Sequence, residues 1–234
     1  MRHIQLPNNM TKEAILTPQD LLVYVSIKRY MNKDTKEAFP SLLTISSHCG
    51  ASIPTIRKSI KRLEEQGYLK ITKQGRKQIY TFLKFTNFEP FSYEFLDKTD
   101  LTFTEKSYLI ASQQYMFKDI EKFGKISMTD EELSKILNLS RPVITKCNNS
   151  LKNKGYLDII KAKQSKTGIT INEKFFHLDE LGQAIVFKLQ DHEEKINKNA
   201  QDIKELQKSI ELILKENAEL KRKLEENYKT EFIL

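Results

Sequence analysis

The stretch "SIPTIRKSIK" places Ser52, Ile53, Thr55, Arg57, Lys58 and Lys61 within ten residues. At helical periodicity Arg57, Lys58 and Lys61 share one side, and Ile56, Ile60 and Leu63 share the other. This is recognition chemistry, not bond-making chemistry. A guanidinium offers a planar fork of donors that fits two adjacent acceptors, whereas an ammonium supplies a point charge. Hydroxyls and backbone N–H groups at the start of a helix add sites for an anionic oxygen. A second stretch, "SRPVITKCNN", offers Ser140, Arg141, Thr145, Lys146 and Asn149 in the same frame. Two polar segments bring further donors: "KQGRKQ" carries Lys73, Gln74, Arg76 and Lys77, and "KAKQSKTG" carries Lys161, Lys163 and Lys166. The net charge is +7 from Arg57 to Lys84 and +6 from Arg141 to Lys166.

Other chemistries find less in the sequence. His48 stands beside Cys49, but no CxxC or HxxxH spacing accompanies them, so no metal site is expected. Cys147 falls near the inward side of its helix and reads as a small core residue. The chain contains no glycine-rich phosphate loop, nucleophile elbow or paired-carboxylate motif. A binding protein without a cofactor is expected, not an enzyme.

The elements that must position these side chains come from a repetition. Leu16-Thr17 and Leu101-Thr102 open matching segments, each with a capping box, Thr17 to Asp20 and Thr102 to Glu105. Leu22, Val25 and Tyr30 mark the apolar side of the first helix of one copy. Tyr108, Ala111 and Tyr115 mark it in the other. From Ser41 and Thr129 to Ile71 and Ile159 the copies align without gaps, and ten positions are identical. An internal duplication of about 85 residues accounts for this. Each copy reads helix, helix, turn, helix, strand, turn, strand. The second helices begin at Ser41 and Thr129 and stop at Gly50 and Asn138, residues that tolerate left-handed backbone. The third start from Ser52 and Ser140 as caps, with proline at the second helical position, and end at Gly67 and Gly155. "YLKIT" with "IYTFLKF", and "YLDII" with "ITINEKF", read as strand pairs around the polar turns. Residues 86–100, rich in Phe and Tyr, are expected to pack.

The last segment repeats every seven residues. Leu189, Ile196, Ile203, Ile210, Asn217 and Leu224 hold one seam position, and Leu206, Ile213 and Leu220 the other. β-branched residues at the first position, with one Asn, favour a parallel two-stranded coiled coil in fixed register. A homodimer is expected.

Charge separates these regions. The chain carries +8, but residues 1–189 hold 30 Lys and Arg against 20 Asp and Glu, and residues 190–229 hold 9 against 10. The excess lies with the repeated phrases, and nucleic acid is the partner that suits it. No apolar run approaches a membrane span, and the N-terminus lacks the apolar run of a secretory signal. Two cysteines make no disulfide framework, so a cytoplasmic location and no membrane partner are expected.

Helix, turn, helix and a two-stranded hairpin together make a winged helix-turn-helix, whose third helix fits a major groove about 12 Å wide. Residues 16–83 resemble the winged helix-turn-helix family of phage and plasmid replication and regulatory proteins. The resemblance is carried by Phe39-Pro40-Ser41, Ile45, Gly50, Ser52, Thr55, Ile56, Arg57, Leu63, Glu64 and Gly67. Where that family usually has Ala after the Ile45 position, this chain has Ser46. Two such copies are similar to the tandem plasmid replication initiators, although a coiled-coil tail is not part of that pattern. The resemblance implies double-stranded DNA as partner. The second copy departs further: Asn148 replaces Ile60, Thr145 replaces Arg57 and Asn149 replaces Lys61. Base reading through Arg141 and Asn149, or a packing or dimerisation task, both fit it.

The expected architecture is mainly α with small β wings. A first winged helix-turn-helix spans 1–88, a linker 89–100, a second winged helix 101–180 and a parallel coiled coil 185–228. The expected function is sequence-specific DNA binding by a dimer that regulates transcription of a phage- or plasmid-like element. A replication initiator, or a DNA-anchored segregation scaffold acting through the coil, is the alternative. The apolar "EFIL" at 231–234 would suit docking of a protein partner.

Overall fold

The computed structural model describes residues 3–11, 16–75, 77–83, 88–116, 124–161, 172–181 and 183–231. The first repeated segment forms α1 (Pro18–Lys28), β2 (Glu37–Ala38), α2 (Leu42–Cys49), α3 (Ile53–Glu65), β3 (Leu69–Gln74) and β4 (Lys77–Phe82). It is preceded by β1 (Ile4–Pro7) and followed by β5 (Phe88–Phe91) and α4 (Tyr93–Asp97). The second forms α5 (Phe103–Gln113), β6 (Lys125–Ser127), α6 (Asp130–Leu137), α7 (Arg141–Asn153), β7 (Leu157–Lys161) and β8 (Asn172–Phe176). The last helix, α8, spans Ala184–Glu231. Residues 1–187 make one compact unit and 188–234 another.

Capping acids begin α1 and α5. The Thr17 N–H and hydroxyl donate to the Asp20 carboxylate at 2.8 and 2.9 Å, which closes the first turn of α1. In α5 the Thr102 N–H donates to Glu105 at 2.7 Å. The sequence spacing marks one apolar side on α1, yet every residue from Leu21 to Ile27 is buried. The reason is neighbours on several sides: α2, α3, β1 and α5 all pack against α1. The whole of α5 from Glu105 to Gln113 is likewise buried. Helices enclosed in this way lose the one-sided pattern of a surface helix. Tyr30, expected in the core, is 38% exposed, because α1 ends at Lys28 and the chain turns away before it.

Each segment carries a three-stranded antiparallel sheet, ordered β2-β4-β3 and β6-β8-β7. The strands β2 and β6 are too short for sequence periodicity to mark them. The first hairpin is tighter than the polar run suggests. Pairing continues to Gln74 opposite Lys77, so Lys73, Gln74 and Lys77 are strand residues. Gly75 takes φ 61° in the tight turn that remains, as short hairpins require. In the second sheet the Gly124 backbone crowds the carbonyl of Phe176, and a Cβ there would lie 2.6 Å from that oxygen.

The connection between the segments is built into the core. β5 pairs with β1, Ile4 opposite Phe91 through Pro7 opposite Phe88, and Phe91, Phe95 and Leu96 are buried. Lys106 of α5 is buried and donates to the carbonyls of Leu96, at 2.7 Å, and His48, at 3.3 Å. One cation thus satisfies the C-terminal ends of α4 and α2. Gln183 accepts from the Ser92 N–H and donates to Gln113, both at 2.7 Å, which anchors the chain just before α8.

Candidate nucleic-acid interface

The turn between α2 and α3 fixes the angle at which α3 is presented. Gly50 caps α2 at φ 76°, a left-handed conformation. The Ser46 hydroxyl then donates to the Ala51 carbonyl at 2.7 Å. Ser134 does the same for Leu139 at 2.6 Å, after Asn138 caps α6 at φ 50°. Ser46, which departs from the family's usual Ala, therefore holds the turn, and its equivalent is one of the ten identities between the copies.

Ser52 caps α3 and pairs with the Thr55 hydroxyl at 2.9 Å. Ile56, Ser59, Ile60 and Leu63 are buried. Ser52, Arg57, Lys58 and Lys61 are exposed, and Ile53 and Thr55 are half-buried. Lys61 lies 3.6 Å from Glu65, one turn on. Arg57 and Lys58 have no ion-pair partner among the described residues. Arg62 is withdrawn from this surface. Its guanidinium binds the fully buried Asp20 carboxylate at 2.9 and 2.6 Å, which ties the end of α3 to the start of α1. On the adjoining hairpin Lys73, Gln74 and Lys77 are exposed. So is Lys70 of β3, opposite Thr81, a cation whose exposure follows from strand alternation: Leu69 is buried and Lys70 points away. Arg76 lies outside the described residues.

In α7 the inward residues are Ile144, Cys147, Asn148 and Leu151. Arg141, Thr145, Lys146 and Asn149 line one shallow depression of about 530 Å3, with Pro142. Ser140 is exposed at the head of the helix and makes no side-chain capping bond. Asn148, where the first copy has Ile60, is buried in a polar chain. It accepts from the Tyr108 hydroxyl at 2.8 Å and donates to Asp130 at 3.2 Å. Asp130 also pairs with Lys174, whose side chain is 1% exposed, at 3.0 Å, and accepts from the Thr145 hydroxyl at 3.2 Å. Thr145 spends its proton on Asp130, so toward a ligand it can only accept. Lys161 ends β7 with its side chain outside the described residues, as Lys163 and Lys166 are entirely.

Glu105 repeats the work of Asp20 with another partner. Ser150 stands at the place of Arg62, and the Glu105 carboxylate instead accepts from Lys154 Nζ at 2.9 and 2.7 Å. Burial would raise its pKa, but hydrogen bonds from Lys154, Ser150 and Thr102 outweigh this and hold it at about 2. Cys49 and Cys147 are buried free thiols whose pKa burial raises, which leaves them unreactive.

Residues 14–69, from just before α1 to the start of β3, match the family model of a helix-turn-helix domain. The chain carries a helix-turn-helix, a DNA-binding architecture. No match was found among curated proteins. Among the described residues no helix is long and apolar enough to cross a membrane.

Along α8 the expected seam residues Ile196, Ile203, Leu206, Ile210, Ile213 and Leu220 are between 53% and 64% exposed in the single chain, and Asn217 is exposed too. The side chains of Leu189 and Leu224 lie outside the described residues.

Proposed function

We propose that the protein binds specific double-stranded DNA through α3 and the β3–β4 hairpin, as a homodimer joined by α8, and regulates transcription of a phage- or plasmid-like element. One observation carries the DNA reading: within the helix-turn-helix match, the apolar side of α3 is locked in the core while Arg57 and Lys58 stand exposed, with no ion-pair partner among the described residues. On this reading the segment from α5 to β8 is a second winged helix-turn-helix. Its α7 contributes weaker contacts through Arg141 and Asn149, since Thr145 is tied to Asp130. The protein acts by binding and not by catalysis. Support for the dimer is the seven-residue seam, with exposed Ile and Leu that a second copy would cover and Asn217 to set register.

A second reading makes it a replication initiator or scaffold that recruits partners through α8. Leu212 and Leu214 favour it: they lie outside the two seam positions and are 60% and 62% exposed. Genome-wide footprinting separates these readings. A regulator protects one operator with two half-sites near its own promoter. Directly repeated sites beside AT-rich DNA would replace it with an initiator. Protection nowhere would overturn sequence-specific binding.

A further inference from the structure

A cavity of about 670 Å3 lies where α1 runs into β2, walled by β1, the last turn of α1, the loop after it and Tyr93 of α4. Small-molecule sites span roughly 300–1,000 Å3. The lining is cationic, with Lys28, Arg29, Lys33 and Lys36 against one acid, Asp34. Arg29 is committed: its guanidinium pairs with Asp97 and lies 5.1 Å from the Tyr93 ring centroid. The three lysines have no carboxylate partner among the described residues. Lys28 is half-buried, with Nζ 3.3 Å from the Tyr24 hydroxyl and 5.3 and 5.7 Å from the Tyr24 and Phe82 ring centroids. Burial, and then Lys36, lower its pKa to about 8. An ammonium in that position gains from an incoming anion. Two rings complete the wall. The Tyr30 hydroxyl is bonded to His48, and the Tyr93 hydroxyl donates to the Arg29 carbonyl at 3.4 Å, so both rings are oriented.

The rim is built before any ligand arrives. The Asn32 N–H donates to the Glu37 carbonyl at 2.8 Å, the Lys36 N–H to the Asn32 carbonyl at 3.0 Å, and the Phe82 N–H to the Lys36 carbonyl at 3.2 Å. Lys36 is held at φ 59°, a conformation that lysine seldom adopts. The site is also remote from the wing turn. Phe82 lies five residues along β4 from Lys77, which is about 16 Å at strand rise.

We propose that this cavity is a binding site for a small organic phosphate, whose phosphate is held by Lys28, Lys33 and Lys36 and whose planar group lies against Tyr30 and Tyr93. The site does not depend on the DNA reading. The competing explanation is that these cations only complement the C-terminal end of α1. Calorimetric titration of the full-length protein at low salt, with AMP and with inorganic phosphate as probes, decides between them. AMP is expected to bind saturably and about tenfold more tightly than phosphate. The double variant Lys33→Gln/Lys36→Gln, at two exposed positions, is expected to keep its Tm and circular dichroism and to lose AMP affinity by about tenfold. The absence of saturable AMP heat into the millimolar range, or equal AMP affinity in the variant, would overturn the site. So would a loss of duplex-DNA affinity in the variant as large as that of Arg57→Ala, which would assign the lysines to DNA phosphates.

Discussion

Arg57 and Arg62 stand five residues apart on α3 and have different tasks. Arg57 points its charge outward, and replacing it by Ala should lower DNA affinity by about 1–3 kcal/mol and relax selection at one base pair. Binding assays on a panel of single-base operator variants would show this. Unchanged affinity and selectivity would remove Arg57 from the reading surface. Arg62 neutralises the buried Asp20, so Arg62→Ala should leave DNA contacts alone and lower stability by about 1–3 kcal/mol in urea unfolding. The second copy offers a sharper case. Asn148→Ile installs the residue found at Ile60, yet it strips partners from the Tyr108 hydroxyl and from Asp130. A cost of about 1–3 kcal/mol is expected, and a stabilised variant would show that the polar chain is dispensable.

Among the elements, α5 depends on a carboxylate more than its sequence suggests. The Glu105 pKa of about 2 lies below the unfolded value near 4.3. A depressed folded pKa adds stability above the unfolded value, and that stability is lost as the pH falls from there toward about 2. Urea midpoints across this window should decline for the parent protein and decline less for Glu105→Gln. Equal slopes would mean that Lys154 and Glu105 contribute no net linkage. The helix starts, the left-handed caps and the buried stripe of α3 were legible in the sequence, because capping residues and periodicity act within a few positions. The exchange of Arg62 for Lys154 as the partner of the capping acid was not. It depends on residues 42 and 49 positions from their acids. The all-round burial of α1 escaped for the same reason, since distant elements supply the cover. At the interface, the exposed cations were legible by type, but the fate of each was not. Position 145 reads as a free hydroxyl until Asp130 is seen to bind it.

For the whole molecule, the proposed dimer rests on the exposed apolar seam of α8. Ile203→Asp with Ile210→Asp should turn a dimer into a monomer by light scattering, without changing the signature of residues 1–187. Asn217→Ile should keep the association and blur its stoichiometry. A parent protein that is monomeric at micromolar concentration would refute the coil. If the proposed dimer forms, the aspartate pair should weaken binding to two half-sites and spare binding to one.

The packing of α1 against α5 has a consequence for synthesis. A chain emerging from the ribosome completes all three helices of its helix-turn-helix by residue 65, but α5 is finished only at residue 113. Until then α1 has one apolar side open to solvent, and it is the kind of exposed surface that chaperones capture and that drives aggregation. A message cut short between those two points would yield a protein whose α3 is intact in sequence and whose first helix has lost its cover.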